Sequence, residues 1–141
     1  MSTLNYEKIA FIDNSNLQRC TIIFNAKYFK KKKNSKYDDL LAHILKTLSN
    51  GLLLSQQKNS QTFDVLVYLD GIKATELDFG FAKNFIIIIQ QLFPNRLNKC
   101  YFHHAPGFFR LFFENLSIFI DKQTQNKVQF VTKPKKLYPS T

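Results

Sequence analysis

Few residues in this chain punctuate or staple a fold: its 141 positions hold four glycines, four prolines and two cysteines. Glycine and proline are scattered, so no linker divides the sequence, and no internal repeat is visible. The expectation is one domain over residues 1–141, long enough to bury a substantial core unaided. Cys20 and Cys100 lack CxxC or Cys/His spacing. That excludes a zinc cluster and predicts two buried, reduced thiols in a cytoplasmic protein. Long apolar runs are missing as well. The longest, FIIII from Phe85 to Ile89, stops at Gln90, far short of the ~20 residues needed to span a bilayer. The N-terminal stretch MSTLNYEKIAF has no basic region leading into a greasy segment, so a secretory leader is not expected.

Catalytic signatures are equally scarce. No GxGxxG or GxxxxGK[ST] follows a predicted strand, and no GxSxG elbow exists. Asp70 and Gly71 in LDGIK read as a turn that needs glycine. His103 and His104 are adjacent at a strand end, where side chains alternate, so they point to opposite faces. His43 falls beside the apolar face of a helix and reads as structural. No catalytic residue, metal or cofactor is assigned, and the expected work is binding.

What is present is grease and positive charge. The chain is 45% hydrophobic and 15% aromatic, with a formal charge of +10. The first marks a globular protein; the second favours anionic partners. Lys30, Lys31, Lys32 and Lys33, with Lys27 and Lys36, crowd one segment, and Lys133, Lys135 and Lys136 gather near the end. Tyr28, Phe29 and Tyr37 flank the first cluster. It lacks the arginine-rich, glycine-punctuated character of RNA-binding modules, so nucleic acid is not an expected partner.

KIAFID and CTIIFNA read as two short strands joined by a polar turn. Ser35 opens a helix whose apolar face runs from Leu40 to Leu52 and which stops at Gly51. FDVLVYLDG reads as a strand buried on both faces. DFGFAKNFIIIIQQLF is a second helix closed by Pro94. NKCYFHH is a strand, followed by a phenylalanine-rich helix, and KVQFV is a last strand. This alternation predicts an α/β fold: a mainly parallel, mixed sheet with right-handed crossover helices and one antiparallel edge strand.

The phenylalanine helix is unusually broad in its apolar surface. Arg110, Glu114 and Ser117 share one narrow polar arc at ~100° per residue. Phe108, Phe109, Leu111, Phe112, Phe113, Leu116, Ile118 and Phe119 cover most of the rest. A helix on a sheet needs an apolar stripe of only ~100° or somewhat more. The surplus is covered by other parts of the protein, lines a cavity, or opens to a membrane.

The last third of the chain resembles the CRAL-TRIO lipid-binding domain. Phe93-Pro94-Asn95-Arg96, His104-Ala105-Pro106, Phe119-Ile120-Asp121, Thr124 and Lys127 match that family's pattern in spacing. FNAKYF followed by DDLLAHILKTL looks more like its divergent branch. The resemblance implies a hydrophobic pocket floored by the sheet and closed by the aromatic helix as a movable gate. Phe108, Phe109, Phe112, Phe113 and Leu116 would form gate and wall, with Ile86 and Ile87 beside them. It further implies that Thr124 and Lys127 hold a lipid phosphate. Asn95 replaces the family's inositol-binding glutamate, which weakens the case for phosphatidylinositol itself. Relative to the family, the usual N-terminal helical bundle and closing segment are absent, which makes self-association an expectation. The implied function is non-enzymatic binding of a lipid, a phospholipid above all, by a cytoplasmic protein that visits anionic membranes through Lys30 to Lys33. The alternative is a protein-interaction module that scaffolds a GTPase or another signalling partner.

Overall fold

A computed structural model describes residues 6–29 and 37–131. A short helix α1 (Tyr6–Ile9) leads into β1 (Ala10–Asp13), and β2 (Thr21–Asn25) follows. Then come α2 (Asp38–Gln57), β3 (Phe63–Tyr68), α3 (Phe79–Leu92) and β4 (Leu97–His103). The phenylalanine helix is α4 (Gly107–Leu116), extended by a 3-10 turn over Ser117–Phe119. A one-turn helix α5 (Lys122–Gln125) precedes β5 (Val128–Val131).

The five strands lie side by side in chain order, β1-β2-β3-β4-β5. β1 runs antiparallel to β2 at the edge, and the other neighbours are parallel. The expected α/β architecture, mixed sheet and antiparallel edge strand are therefore present. Because strand order follows chain order, right-handed crossovers bring α2, α3 and α4 to the same face. Both buried clusters lie on that face. One joins Ile22, Leu40, Ile44, Leu48 and Phe63; the other joins Leu69, Cys100, Phe102 and Phe109.

This topology corrects part of the reading of FDVLVYLDG as a strand buried on both faces: Val65 to Tyr68 are all half-buried, but among the described residues the crossover helices cover one face. Val65 and Val67 pack into the core, whereas Leu66 and Tyr68 belong to neither buried cluster. One layer of crossovers covers one face of a sheet.

A second correction concerns Gly51. It does not end the first long helix, which continues to Gln57. Gly51 is buried against β2, and a Cβ at that position would lie 2.3 Å from Ile22 Cδ1. The glycine is there for a close approach. Ser35 lies outside the described residues; among those described, Tyr37 precedes the first helical residue and Asp38 and Asp39 occupy the first turn, where carboxylates suit the helix dipole. His43 is structural, its Nε2 2.9 Å from the Ala10 carbonyl oxygen.

Candidate functional site

Between the sheet and its helical layer lies a chamber of about 410 Å³. This falls within the 300–1,000 Å³ typical of small-molecule sites. Alternation along the strands supplies the floor: Phe24, Val65, Val67, Cys100, Phe102 and Val128 all face it. Leu40, Ile44 and Leu48 of α2 close one side. On α3 the lining residues are Phe81, Ala82, Phe85, Ile86, Ile89, Gln90 and, just past its end, Phe93. They follow the i, i+3, i+4, i+7 spacing of a single helical face. On α4 the same spacing selects Phe109, Phe112, Phe113 and Leu116.

Five of the seven expected pocket residues thus line the chamber: Phe109, Phe112, Phe113, Leu116 and Ile86. Ile87 and Phe108 do not. Each sits one position from a lining residue, rotated ~100° around its helix. Phe108 is 38% exposed, with Leu111 at 60% and Ile118 at 79%. The surplus apolar surface of the phenylalanine helix divides accordingly, part toward the chamber and part toward solvent.

The chamber has one polar end, formed by Gln90, Asn95, Asp121, Thr124 and Lys127. The backbone there is tightly specified. Asp121 caps α5, its Oδ1 accepting the Thr124 N–H at 2.7 Å. The Lys127 N–H donates to the Thr124 carbonyl at 3.0 Å, and the Lys127 carbonyl accepts the Cys100 N–H at 2.9 Å. Both Thr124 and Lys127 are half-buried. Among the described residues no hydrogen bond or ion pair engages the Lys127 ammonium. Lys30, Lys31, Lys32 and Lys33 lie outside the described residues.

The remaining polar groups singled out in the sequence are elsewhere. Gly71 turns the chain after β3 with φ 71°. Beside it, Asp70 pairs at the surface with Nδ1 of His104, a residue that itself has φ 59°. His103 is half-buried, its ring 5.4 Å from that of Tyr68. Burial lowers its pKa; the neighbouring His104 adds to the effect and Asp70 opposes it. Neither histidine lines the chamber. Cys20 and Cys100 are free and buried. Burial pushes the Cys100 thiol up to about 12, so at neutral pH it is one more apolar patch on the floor.

Sequence reasoning missed Phe85, Ile89 and Gln90. Their spacing from Ile86 was the available signal, masked by the run of isoleucines on every side of α3.

No curated protein matches the chain by sequence. Among 33 solved chains that match its structure, a crystal structure of Sfh5 superposes with TM-score 0.76 at 18% identity. The match covers 90% of this chain and 50% of that one, so this chain spans half the length of that relative. A family model described as the CRAL/TRIO domain matches residues 4–139. The chain belongs to the CRAL/TRIO domain family.

Proposed function

We propose that this protein binds one lipid, a phospholipid, in the chamber under α4, with Thr124 and Lys127 holding its phosphate. Family membership supports a lipid-binding or lipid-transfer function in general terms; the family's members are generally binders rather than enzymes. The observation that carries the finer reading is the polarity of the chamber. Its walls are aliphatic and aromatic almost throughout, and a threonine and a lysine are among the few polar residues that line it.

That arrangement answers a definite physical demand. Each methylene leaving a bilayer must recover ~0.8 kcal/mol of apolar contact. A headgroup phosphate must meanwhile keep donors and a countercharge, for which a lysine and a threonine are chemically suited. Binding needs no covalent step. The exposed Phe108 and Leu111 of α4, with Ile118 of the 3-10 turn after it, support peripheral association with a membrane from which the lipid is taken.

Native mass spectrometry after incubation with phospholipid vesicles tests this reading. One retained lipid per chain is the expected result, and lipid-free protein throughout would overturn it. Lys127→Ala should weaken phospholipid binding about tenfold or more while changing an uncharged ligand less than twofold. Equal losses for both would remove the phosphate role.

A further inference from the structure

Gln90 belongs to α3, yet its side chain reaches across to the segment that follows α4. Its Nε2 donates to the Phe119 carbonyl at 2.8 Å. Its Oε1 accepts the Asp121 N–H at 3.0 Å. One primary amide therefore satisfies two backbone groups separated by a single residue, Ile120. Both groups lie where the chain leaves the 3-10 turn and enters α5.

From Asp121 a continuous run of hydrogen bonds leads through Thr124 and Lys127. Asp121 Oδ1 accepts from Thr124, the Thr124 carbonyl from Lys127, and the Lys127 carbonyl from Cys100 on β4. Gln90 anchors this run at α3, and the sheet anchors it at the other extremity. A second glutamine holds the same segment from inside: Gln125 Nε2 donates to the Ser117 carbonyl at 2.9 Å and to the Ile120 carbonyl at 2.7 Å. Four groups between Ser117 and Asp121 are thus fixed by two side-chain amides.

We propose that Gln90 is a positioning residue that sets the placement of Thr124 and Lys127 and so confers preference for phosphate-bearing ligands. The proposal rests on the reading of the polar end as a phosphate site. Gln90 also lines the chamber, so its amide joins the chamber wall to the segment between α4 and α5. An aliphatic side chain there would suit the apolar chamber as well or better. A glutamine at this point of an isoleucine-rich helix is accounted for by the two backbone groups it satisfies. Leaving the part-buried Phe119 carbonyl unsatisfied carries a penalty, which the segment avoids by shifting, and Thr124 and Lys127 shift with it.

The test uses two probes that share one acyl chain, palmitoyl lysophosphatidic acid and monopalmitoylglycerol, titrated calorimetrically into the full chain. Wild type should bind the phosphate-bearing probe more tightly. Gln90→Met removes both hydrogen bonds at nearly constant volume. It should lower affinity for lysophosphatidic acid about tenfold more than it lowers affinity for monopalmitoylglycerol. Gln90→Asn, too short to make both contacts yet still polar, should do the same and serves if the methionine variant fails to fold. A merely structural role would lower both affinities together, and that result overturns the proposal. Undiminished phosphate preference in a folded Gln90 variant overturns it too, provided Lys127→Ala has lost that preference. If wild type itself shows no preference, the phosphate reading fails first. Hydrogen exchange gives an independent readout: in Gln90→Met the Asp121 amide should exchange faster while the amides of β2 and β3 keep their protection.

Discussion

Cys100 shows what the chamber does to a single ionisable group. Its thiol faces apolar side chains on the floor, and burial alone lifts its pKa from 9.0 to about 12. Unfolded, the same thiol ionises near its ordinary value. Between pH 9 and 12 the unfolded chain releases a proton that the folded chain keeps. The stabilising contribution is therefore full below pH 9 and falls above it, by up to ~1.4 kcal/mol per pH unit. Urea unfolding at pH 8 and pH 10.5 should show wild type losing more stability than Cys100→Ala across that interval. Parallel losses in the two proteins would mean that the thiol is not buried as described. The sequence already marked both cysteines as buried and reduced. It did not mark Cys100 as chamber floor, because a packed core and a chamber draw on the same residue types. Gln90 was harder still: a polar residue ending an apolar run reads as the edge of the run, and its partners stand 29 and 31 residues away.

Secondary structure was legible wherever one period dominated. The strands, α3 and α4 lie within a few residues of their expected limits, and the aromatic stripe of α4 faces the sheet as its spacing predicts. Gly51 was not legible, since a glycine that ends a helix and one that lets a helix approach a strand look alike in isolation. In the structure Gly51 and Ser55, one turn apart, form a small-residue stripe against the start of β2. Ser55 Oγ accepts the Cys20 N–H at 2.9 Å, and Gly51 leaves room for the Ile22 side chain. Gly51→Ala gains ~1 kcal/mol of helix propensity but drives a methyl into the fully buried Ile22, at ~1–3 kcal/mol for overpacking. A net loss of about 1 kcal/mol in denaturant unfolding is expected. Ile22→Val removes the colliding Cδ1 atom. The double variant should accordingly be more stable than the sum of the two single changes, and strict additivity would refute the contact.

At the scale of the molecule, the alternation of strands and helices gave the fold class but not the arrangement of layers. Alternation says nothing about strand order, and strand order decides whether crossovers land on one face or two. The same limit applies to charge: a formal +10 suits an anionic partner in general but does not say which side would meet it. The exposed Leu111 of α4 and Ile118 of the 3-10 turn after it nominate the chamber roof, so long-range attraction and local apolar contact become separable. Attraction from the net charge is screened as the Debye length drops from ~8 Å at 0.15 M salt to ~3 Å at 1 M. Insertion of two aliphatic side chains, each worth ~1.5–3 kcal/mol when fully buried, is not weakened by salt. On phosphatidylcholine vesicles containing phosphatidylserine, cosedimentation should fall at 1 M salt but not vanish. The double variant Leu111→Glu/Ile118→Glu should bind weakly at 0.15 M and not at all at 1 M. Should that variant sediment like wild type at both salt concentrations, membrane contact must be made by another face, and the roof of the chamber would not be the route by which lipid enters.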